Sequence, residues 1–550
     1  VEYLRLLPPF LVLASALYSR RVILSLAIGL ASASLIARGF APLDSVHYLL
    51  FSLGDTLDLP NLSRGILSPS SNWTLFIFIT TLGVIIALLQ RSGAVDAFTR
   101  LIEGRVSRQK DVERVSLMLS FLFFIDDYFS SLSIGKLMVP LTDRFRIARA
   151  KLAFLIDSMC APLAILCPFS SWVGVVIGFL VNNGVSNDPE KNPALLMAPF
   201  WVFINTIPFI FYSFLIMGTS WYIVSRGIRF GSMKTFEEHA DATGDTKGNS
   251  VPAVSTANPN GRVSDFFAVW FLLVTSLLGS LLYFGGFFML GGDNGFVEAL
   301  QQTQMTLALF SCSLIALPVS LLYFVARKSI SIKEIALIFR EGFSMMKSAL
   351  VILVIAWSMG EILREDLKVG EFISNGLLSG VSQSFFPMAV FITALISAFA
   401  TGSSWGTAAL LFPMVLPALL AGAHEAPFYS LEAIPHFLPT IGALLSGCVA
   451  GDHISPISDT TIMTSVSTDM PHINHVETQI IYAVPPIVST LFGYMLLIFL
   501  PESLPLPIKA LAAMAGSFSL LVVILESCHA FARACRGTLV EAAPSGSEIK

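Results

Sequence analysis

The chain has 550 residues, of which 55% are hydrophobic and only 13% charged, with a net charge of -4 and a mean hydropathy of +0.76. Soluble domains carry roughly 25% charged residues, so this composition excludes an ordinary soluble enzyme, and a net negative chain offers nothing that would select nucleic acid. Apolar runs of membrane-crossing length recur along the chain in place of short alternating strands, so the expected class is an all-α polytopic membrane protein whose first partner is the lipid bilayer.

Taken in chain order, spans are expected near 4–19, 22–38, 73–90, 152–181, 200–224, 265–290, 305–325, 347–363, 436–466, 479–500 and 509–530, about eleven full spans. Arg20 and Arg21 place the first turn in the cytoplasm and the N-terminus outside; the basic loop 91–114 is cytoplasmic as well, and the C-terminus ends there. The six cysteines form no CxxC and read as packing residues, with neither a disulfide framework nor a zinc site expected.

Two apolar stretches behave differently. The stretch 115–141 has Arg114 before it and Arg144, Arg146, Arg149 and Lys151 after it. A single crossing cannot keep both basic flanks on one side; a re-entrant hairpin can. Its middle carries Asp126, Asp127, Ser130, Ser131 and Gly135, which suit a protein-buried tip. The stretch 385–421 is the expected mirror case, entering from outside, with no Lys or Arg between Val369 and Ile508. Gly402, Ser403, Ser404, Gly406 and Thr407 form its small, hydroxyl-rich tip.

Cys160, Pro168 and Ser170 match Cys448, Pro456 and Ser458 at one constant offset. The expected organisation is therefore an inverted-repeat bundle with two re-entrant hairpins and two broken helices. Its parts are a two-helix segment and outer loop over 1–72, a first repeat over 73–224 and a flexible cytoplasmic linker over 225–264. Connecting helices over 265–346, a second repeat over 347–500 and a final helix and tail over 501–550 complete it.

The densest chemistry lies in Gly447 to Ser465. Asp452, His453 and Asp459 stand there among a run of hydroxyls that includes Ser455, Ser458 and Thr460. Ionisable groups at membrane depth cost roughly 2.5–3.5 kcal/mol each, so a chain keeps them where they face a cavity or a partner. Pro456 has no N–H and its ring clashes with the carbonyl four residues back, so it should break the helix and free the Asp452 carbonyl for a cation. A new half-helix should begin near Ser455–Ser458, its positive end beside Asp459. Oxygen donors without thiolates suit a hard alkali cation, Na+ at Asp452, Asp459 and Ser458. His453 reads as a packing residue or as a proton carrier.

In the first half, Pro168 should free the Ala164 carbonyl by the same steric logic, with Asp157 nearby, facing the cavity or paired with a basic residue. Asp126 and Asp127 point about 100° apart on a helix, so one of them addresses the cavity. No basic substrate-binding residue is expected at mid-membrane. His472 and His475 have metal-like spacing with Asp469 and Glu477 but read as a solvated loop. Glu361 reads as part of a salt-bridged helix end, and Glu526 and His529 as interfacial. No Walker motif is present, so nothing points to ATP hydrolysis.

Gly451-Asp-His-Ile-Ser-Pro-Ile-Ser-Asp-Thr-Thr461 closely resembles the signature of the NhaC-type sodium/proton antiporter family, part of the wider ion transporter superfamily. Asp126-Asp-Tyr-Phe129, Lys151 to Asp157 and Thr401 to Thr407 also look like motifs of that family. The family pattern commonly has Cys where this chain has Ile454. The resemblance covers roughly 73–500 and implies proton-driven exchange of Na+ with no cofactor beyond the transported ions Na+ and H+. Relatives include malate–lactate exchangers and a drug-efflux branch, so an organic anion or amino acid remains an alternative cargo. A non-transporting scaffold would make costly use of two broken helices with buried acids. Oligomeric state stays open, with a homodimer among the options.

Overall fold

The computed structural model describes residues 4–5, 7–19, 22–57, 72–94, 97, 100–101, 106–124, 127–167, 170, 172, 176, 179–180, 185–186, 195–197, 199–247, 261–296, 298–299, 305–368, 383–421, 436–501 and 503–541. Asp126 and Pro168, both expected at the site, lie outside the described residues.

The protein is mostly helical. In chain order the helices are α1 (Leu7–Ser19), α2 (Val22–Ala37), α3 (Pro42–Thr56), α4 (Asn72–Arg91), α5 (Gln109–Leu122), α6 (Asp127–Arg144) and α7 (Arg149–Leu166). Next come α8 (Pro199–Thr206), α9 (Phe211–Arg226), α10 (Gly231–Thr243), α11 (Val263–Phe284), α12 (Met305–Ala326) and α13 (Ile335–Glu361). The last are α14 (Phe386–Thr401), α15 (Ser404–Ala421), α16 (Phe437–Ile454), α17 (Asp459–Ser467), α18 (His472–Phe499) and α19 (Leu506–Glu541). Val185–Ser186 and Leu195–Leu196 form one short parallel strand pair.

Among the described residues, α11, α16, α18 and most of α19 are each long and apolar enough to cross a membrane alone. A further pair, Trp201–Phe209 and Phe211–Thr243, qualifies together and bends by 51°. Pro208 interrupts the ladder there, and Ile210 takes a non-helical ψ of 64°.

Close packing at glycines assembles the interior. Gly447 and Gly451 on α16 lie against the backbone of α14; a Cβ at Gly447 would sit 2.5 Å from the Phe391 carbonyl oxygen. On the other side of the site, Gly135 of α6 leaves room for Ser467 of α17. Small residues that let backbones approach are the usual device of membrane helix packing, where no hydrophobic effect drives helices together.

The segment after α9 differs from the flexible linker expected there. Gly231–Thr243 is the helix α10, with Met233, Glu237 and Ala240 buried. Its anchor is ionic: Lys151, itself buried at the start of α7, reaches Glu237 at 3.0 Å and Glu113 of α5 at 2.8 Å. Arg229 binds Glu237 from the other side at 2.6 Å. An apolar, amphipathic stripe was too short to announce this helix; the charge pairing only exists once α7 is in place. Glu526 of α19 accepts from Tyr222 at 2.8 Å and pairs with Arg226 at 3.2 Å, tying the last long helix to the end of α9.

Candidate functional site

Three helix interruptions meet in the interior. The first is where α16 ends. Pro456 breaks the helix as its chemistry requires: Ser455 and Ser458 have extended backbones, and α17 starts at Asp459. Ser458 is the N-cap, its hydroxyl accepting from the Thr461 amide at 3.2 Å. The second is where α7 ends, at Cys167, which is extended. The third is Gly402–Ser403 between α14 and α15, where Gly402 has φ +64°. A Cβ on Gly402 would lie 2.5 Å from the carbonyl oxygen of Ile457, so this tip rests directly on the Pro456 break.

The freed carbonyls expected at the two breaks are not free. The Asp452 carbonyl accepts from the Ser455 amide at 3.0 Å, and the Ala164 carbonyl accepts from the Ser170 hydroxyl. Buried backbone oxygens find partners wherever a local donor can reach; Ser455, one residue before Pro456, and Ser170, past the end of α7, do so here. Side-chain carboxylates, rather than these two carbonyls, therefore dominate the site.

Four aspartates converge, all buried: Asp127, Asp157, Asp452 and Asp459. Asp459 is the first residue of α17; one oxygen accepts from the Thr460 amide at 2.9 Å and the other from the Tyr128 hydroxyl. Asp127 opens α6 and accepts from its neighbour Tyr128 N–H at 3.1 Å and from Trp172 Nε1 at 3.3 Å. The indoles of Trp172 and Trp405 pack at a tilt of 36° with centroids 4.6 Å apart, joining the first half to the α14–α15 tip. Asp452 accepts from Thr460 Oγ1 at 3.2 Å. Asp157 accepts from Thr461 Oγ1 at 2.9 Å and from the Gln479 amide. Among the described residues no lysine or arginine pairs with Asp157; Lys151 is held by Glu113 and Glu237.

One oxygen on Asp157, Oδ1, and one on Asp452, Oδ1, are buried with no hydrogen-bond partner. The charges of Asp459 and Asp157 act on Asp452, and that of Asp127 acts on Asp459. A helix N-terminus offers a carboxylate about 0.3–1 kcal/mol, up to ~2 when partly buried, and a hydrogen bond to a charged group about 1.5–3 kcal/mol. Burying a single ion costs several kcal/mol even after relaxation, before repulsion among neighbours is counted. The local donors do not match the cost of burying four anions.

Most of the other expected site residues sit beside the cluster with partners of their own, but His453 Nε2 is buried without one. His453 Nδ1 is 3.0 Å from the Tyr212 hydroxyl, and Ser455 Oγ donates to the Phe399 carbonyl at 2.9 Å. Ser404 Oγ donates to the Cys448 carbonyl at 3.2 Å, Ser403 Oγ accepts from the Gly406 amide at 3.1 Å, and Thr407 Oγ1 pairs with Thr401 at 3.1 Å. Those tip hydroxyls stabilise the tip and its seat on α16.

Several contributors went unrecognised in the sequence. Tyr128, Trp172, Thr461 and Gln479 supply donors to the acids. His472 and His475, read as a solvated loop, are buried at the start of α18. Both Nδ1 atoms turn onto Ser465 Oγ, at 3.0 and 2.9 Å; among the described residues no three His, Cys, Asp or Glu side chains gather as a metal site. Lys136, also passed over, stands at mid-length of α6 and lines a 40 Å³ cavity with Gln90, Ser133 and Trp270.

The family model described as "Na+/H+ antiporter family" matches residues 163–498. The chain belongs to that family. It is a multi-pass membrane transporter and not an enzyme. The proteins it resembles include an uncharacterized protein of Haemophilus influenzae, 27% identical over 526 residues, covering 94% of each chain. The malate-2H(+)/Na(+)-lactate antiporter of Bacillus subtilis is 29% identical over 192 residues, 32% of this chain and 36% of that one. Among solved structures, the YdaH transporter of Alcanivorax borkumensis aligns over 83% of this chain and 88% of its own, at 13% identity and a TM-score of 0.38.

Proposed function

We propose that this Na+/H+ antiporter family member exchanges Na+ for H+ across the cytoplasmic membrane of a bacterium by alternating access. Asp127, Asp157, Asp452 and Asp459 serve both ions, Na+ being held by Asp452, Asp459 and the Ser458 hydroxyl. The observation that carries this reading is the buried four-carboxylate cluster with partnerless oxygens on Asp157 and Asp452. Bound Na+ displaces protons from the same acids, and that competition couples the two flows.

The scaffold in this reading is a pair of inverted repeats, 73–224 and 347–500, within about eleven spans. The α5–α6 and α14–α15 pairs are the two re-entrant hairpins, and α7 and α16–α17 the broken helices. The N-terminus is outside and the C-terminus cytoplasmic. Support for the cytoplasmic placement of the turn between α17 and α18, which has no basic residue of its own, comes from Arg149 and Lys247, which both pair with Asp469.

Purified protein in liposomes with an imposed pH gradient tests the reading. Na+ added outside should move protons in the opposite direction; Na+ without effect on the gradient rejects it. Lys136 supports a second reading, a carried organic anion, because it supplies a basic group on α6. The Bacillus subtilis relative, named for malate and lactate exchange, points the same way. Uptake of labelled organic acids with and without a Na+ gradient separates the two.

A further inference from the structure

We infer that His472 and His475 share a single proton across Ser465, and that this pair passes protons to and from Asp157. The inference rests on the proposed exchange reading and extends it to the route by which protons reach the acids.

Proton positions follow from fixed partners. His472 Nε2 lies 2.8 Å from the Pro456 carbonyl, which can only accept, so Nε2 carries a hydrogen. Gln479 donates its amide nitrogen to the Asp157 carboxylate and to the His453 carbonyl at 3.0 Å, both acceptors. Its Oε1 therefore faces His475 Nε2, 2.9 Å away, and that nitrogen carries a hydrogen too. The tautomers are assigned from these partners.

A neutral imidazole with hydrogen on Nε2 presents a lone pair at Nδ1. Both Nδ1 lone pairs converge on Ser465 Oγ, which also lies 2.7 Å from the Thr461 carbonyl. One hydroxyl proton then faces three acceptors in a buried place. Adding one proton to either Nδ1 resolves the conflict: that imidazolium donates to Oγ, and the hydroxyl donates to the other imidazole. The two arrangements are equivalent in kind, so the proton can sit on either ring. A second added proton would point two donors at Oγ and leave its own hydroxyl proton only the Thr461 carbonyl.

His475 Nε2 is 4.0 Å from Asp157 Oδ2, a small ring rotation short of a hydrogen bond. The transfer balances without any co-reactant. Imidazolium His475 gives its Nε2 proton to the Asp157 carboxylate, leaving a neutral imidazole with hydrogen on Nδ1 and a neutral carboxylic acid. His472 is the outer member, 8% exposed against 0% for His475, so protons enter through His472, cross Ser465 and reach His475. The other titratable or charged groups around the pair are Asp157 from α7, His453 from α16, and Asp469 with Arg149 and Lys247 at the turn before α18.

The test uses the full chain in liposomes and two fluxes: Na+/H+ exchange, and counterflow of labelled Na+ against unlabelled Na+, which moves no proton. His475→Gln should slow Na+/H+ exchange roughly tenfold or more while counterflow stays near the wild-type rate. Exchange that is unchanged, or fluxes that fall together, overturns the inference. Nitrogen NMR of histidine-labelled wild-type protein in lipid avoids reliance on a variant. One added proton between the two rings as pH falls supports the pair; rings that stay neutral throughout, or both charge, overturn it. Wild-type liposomes without Na+-linked proton movement would reject the exchange reading, and the NMR result would still decide whether the proton is shared.

Discussion

Tyr128, the second residue of α6, donates a hydrogen bond from its hydroxyl to Asp459, the first residue of α17. The two helices come from sequence segments far apart, yet they pack side by side in the same direction, their N-termini together with a carboxylate on each. This places the strongest candidate ion ligands where two helix ends, rather than a basic side chain, moderate the negative charge.

Asp459→Asn should keep the protein in the membrane but reduce exchange roughly a hundredfold or more, since the amide cannot bind a proton or a cation by charge. Tyr128→Phe should be milder. It removes one hydrogen bond to a charged group, worth about 1.5–3 kcal/mol, and should raise the Na+ concentration for half-maximal exchange by about tenfold. Na+ titrations of both variants in liposomes check this. Equal, wild-type titration of Tyr128→Phe would remove the hydroxyl from the site.

Gly402→Ala should destabilise the protein and slow transport together. A left-handed backbone costs a non-glycine residue roughly 1–2 kcal/mol, and here the added carbon also meets the Ile457 carbonyl oxygen at 2.5 Å. Neither atom belongs to a flexible side chain, so the tip must lift from the break. Thermal unfolding in detergent beside exchange rate measures both effects; Gly406→Ala, where φ is not left-handed, is the comparison and should be milder in both.

Asp469, in the turn between α17 and α18, titrates outside the spans. Burial pushes its carboxyl up, but the Lys247 hydrogen bond and the charges of Lys247 and Arg149 outweigh that and hold it below the usual range. A lowered carboxyl contributes stability above its unfolded value of about 3.9 and loses it as pH falls through the folded value. The turn should therefore stay protected from hydrogen exchange at pH 6 and open in strong acid. Asp469→Asn should open it at neutral pH and flatten the dependence.

Lys136→Met separates the two cargo readings. Loss of labelled organic acid uptake with Na+/H+ exchange retained assigns the lysine to an anion; unchanged uptake removes it from consideration.

The break at Pro456, the cap at Ser458 and the acids on either side were legible because proline sterics and capping act over a few residues. The Asp452 carbonyl was misread for a local reason as well: Ser455, one residue before the proline, still has an N–H to give. The partners of the acids were not legible in the same way. Gln479 and Thr461 meet at Asp157 only after α7, α17 and α18 pack. His472 and His475 looked solvated because polar neighbours flank them, and only the tertiary fold turns both rings inward onto Ser465. The turn 467–478 has no lysine or arginine of its own, and Arg149 and Lys247 reach it from distant segments.

The break over Ser455–Ser458 has a mechanical consequence. On one side of it α16 is locked to α14 through Gly447 and Gly451, and on the other α17 is locked to α6 through Gly135. The four-residue segment is thus a joint between two stiff bodies, and Asp452 rides on one while Asp459 rides on the other. Any swivel at that joint alters the spacing of the two negative groups. In the proposed exchange, any change of posture there would change the grip on Na+.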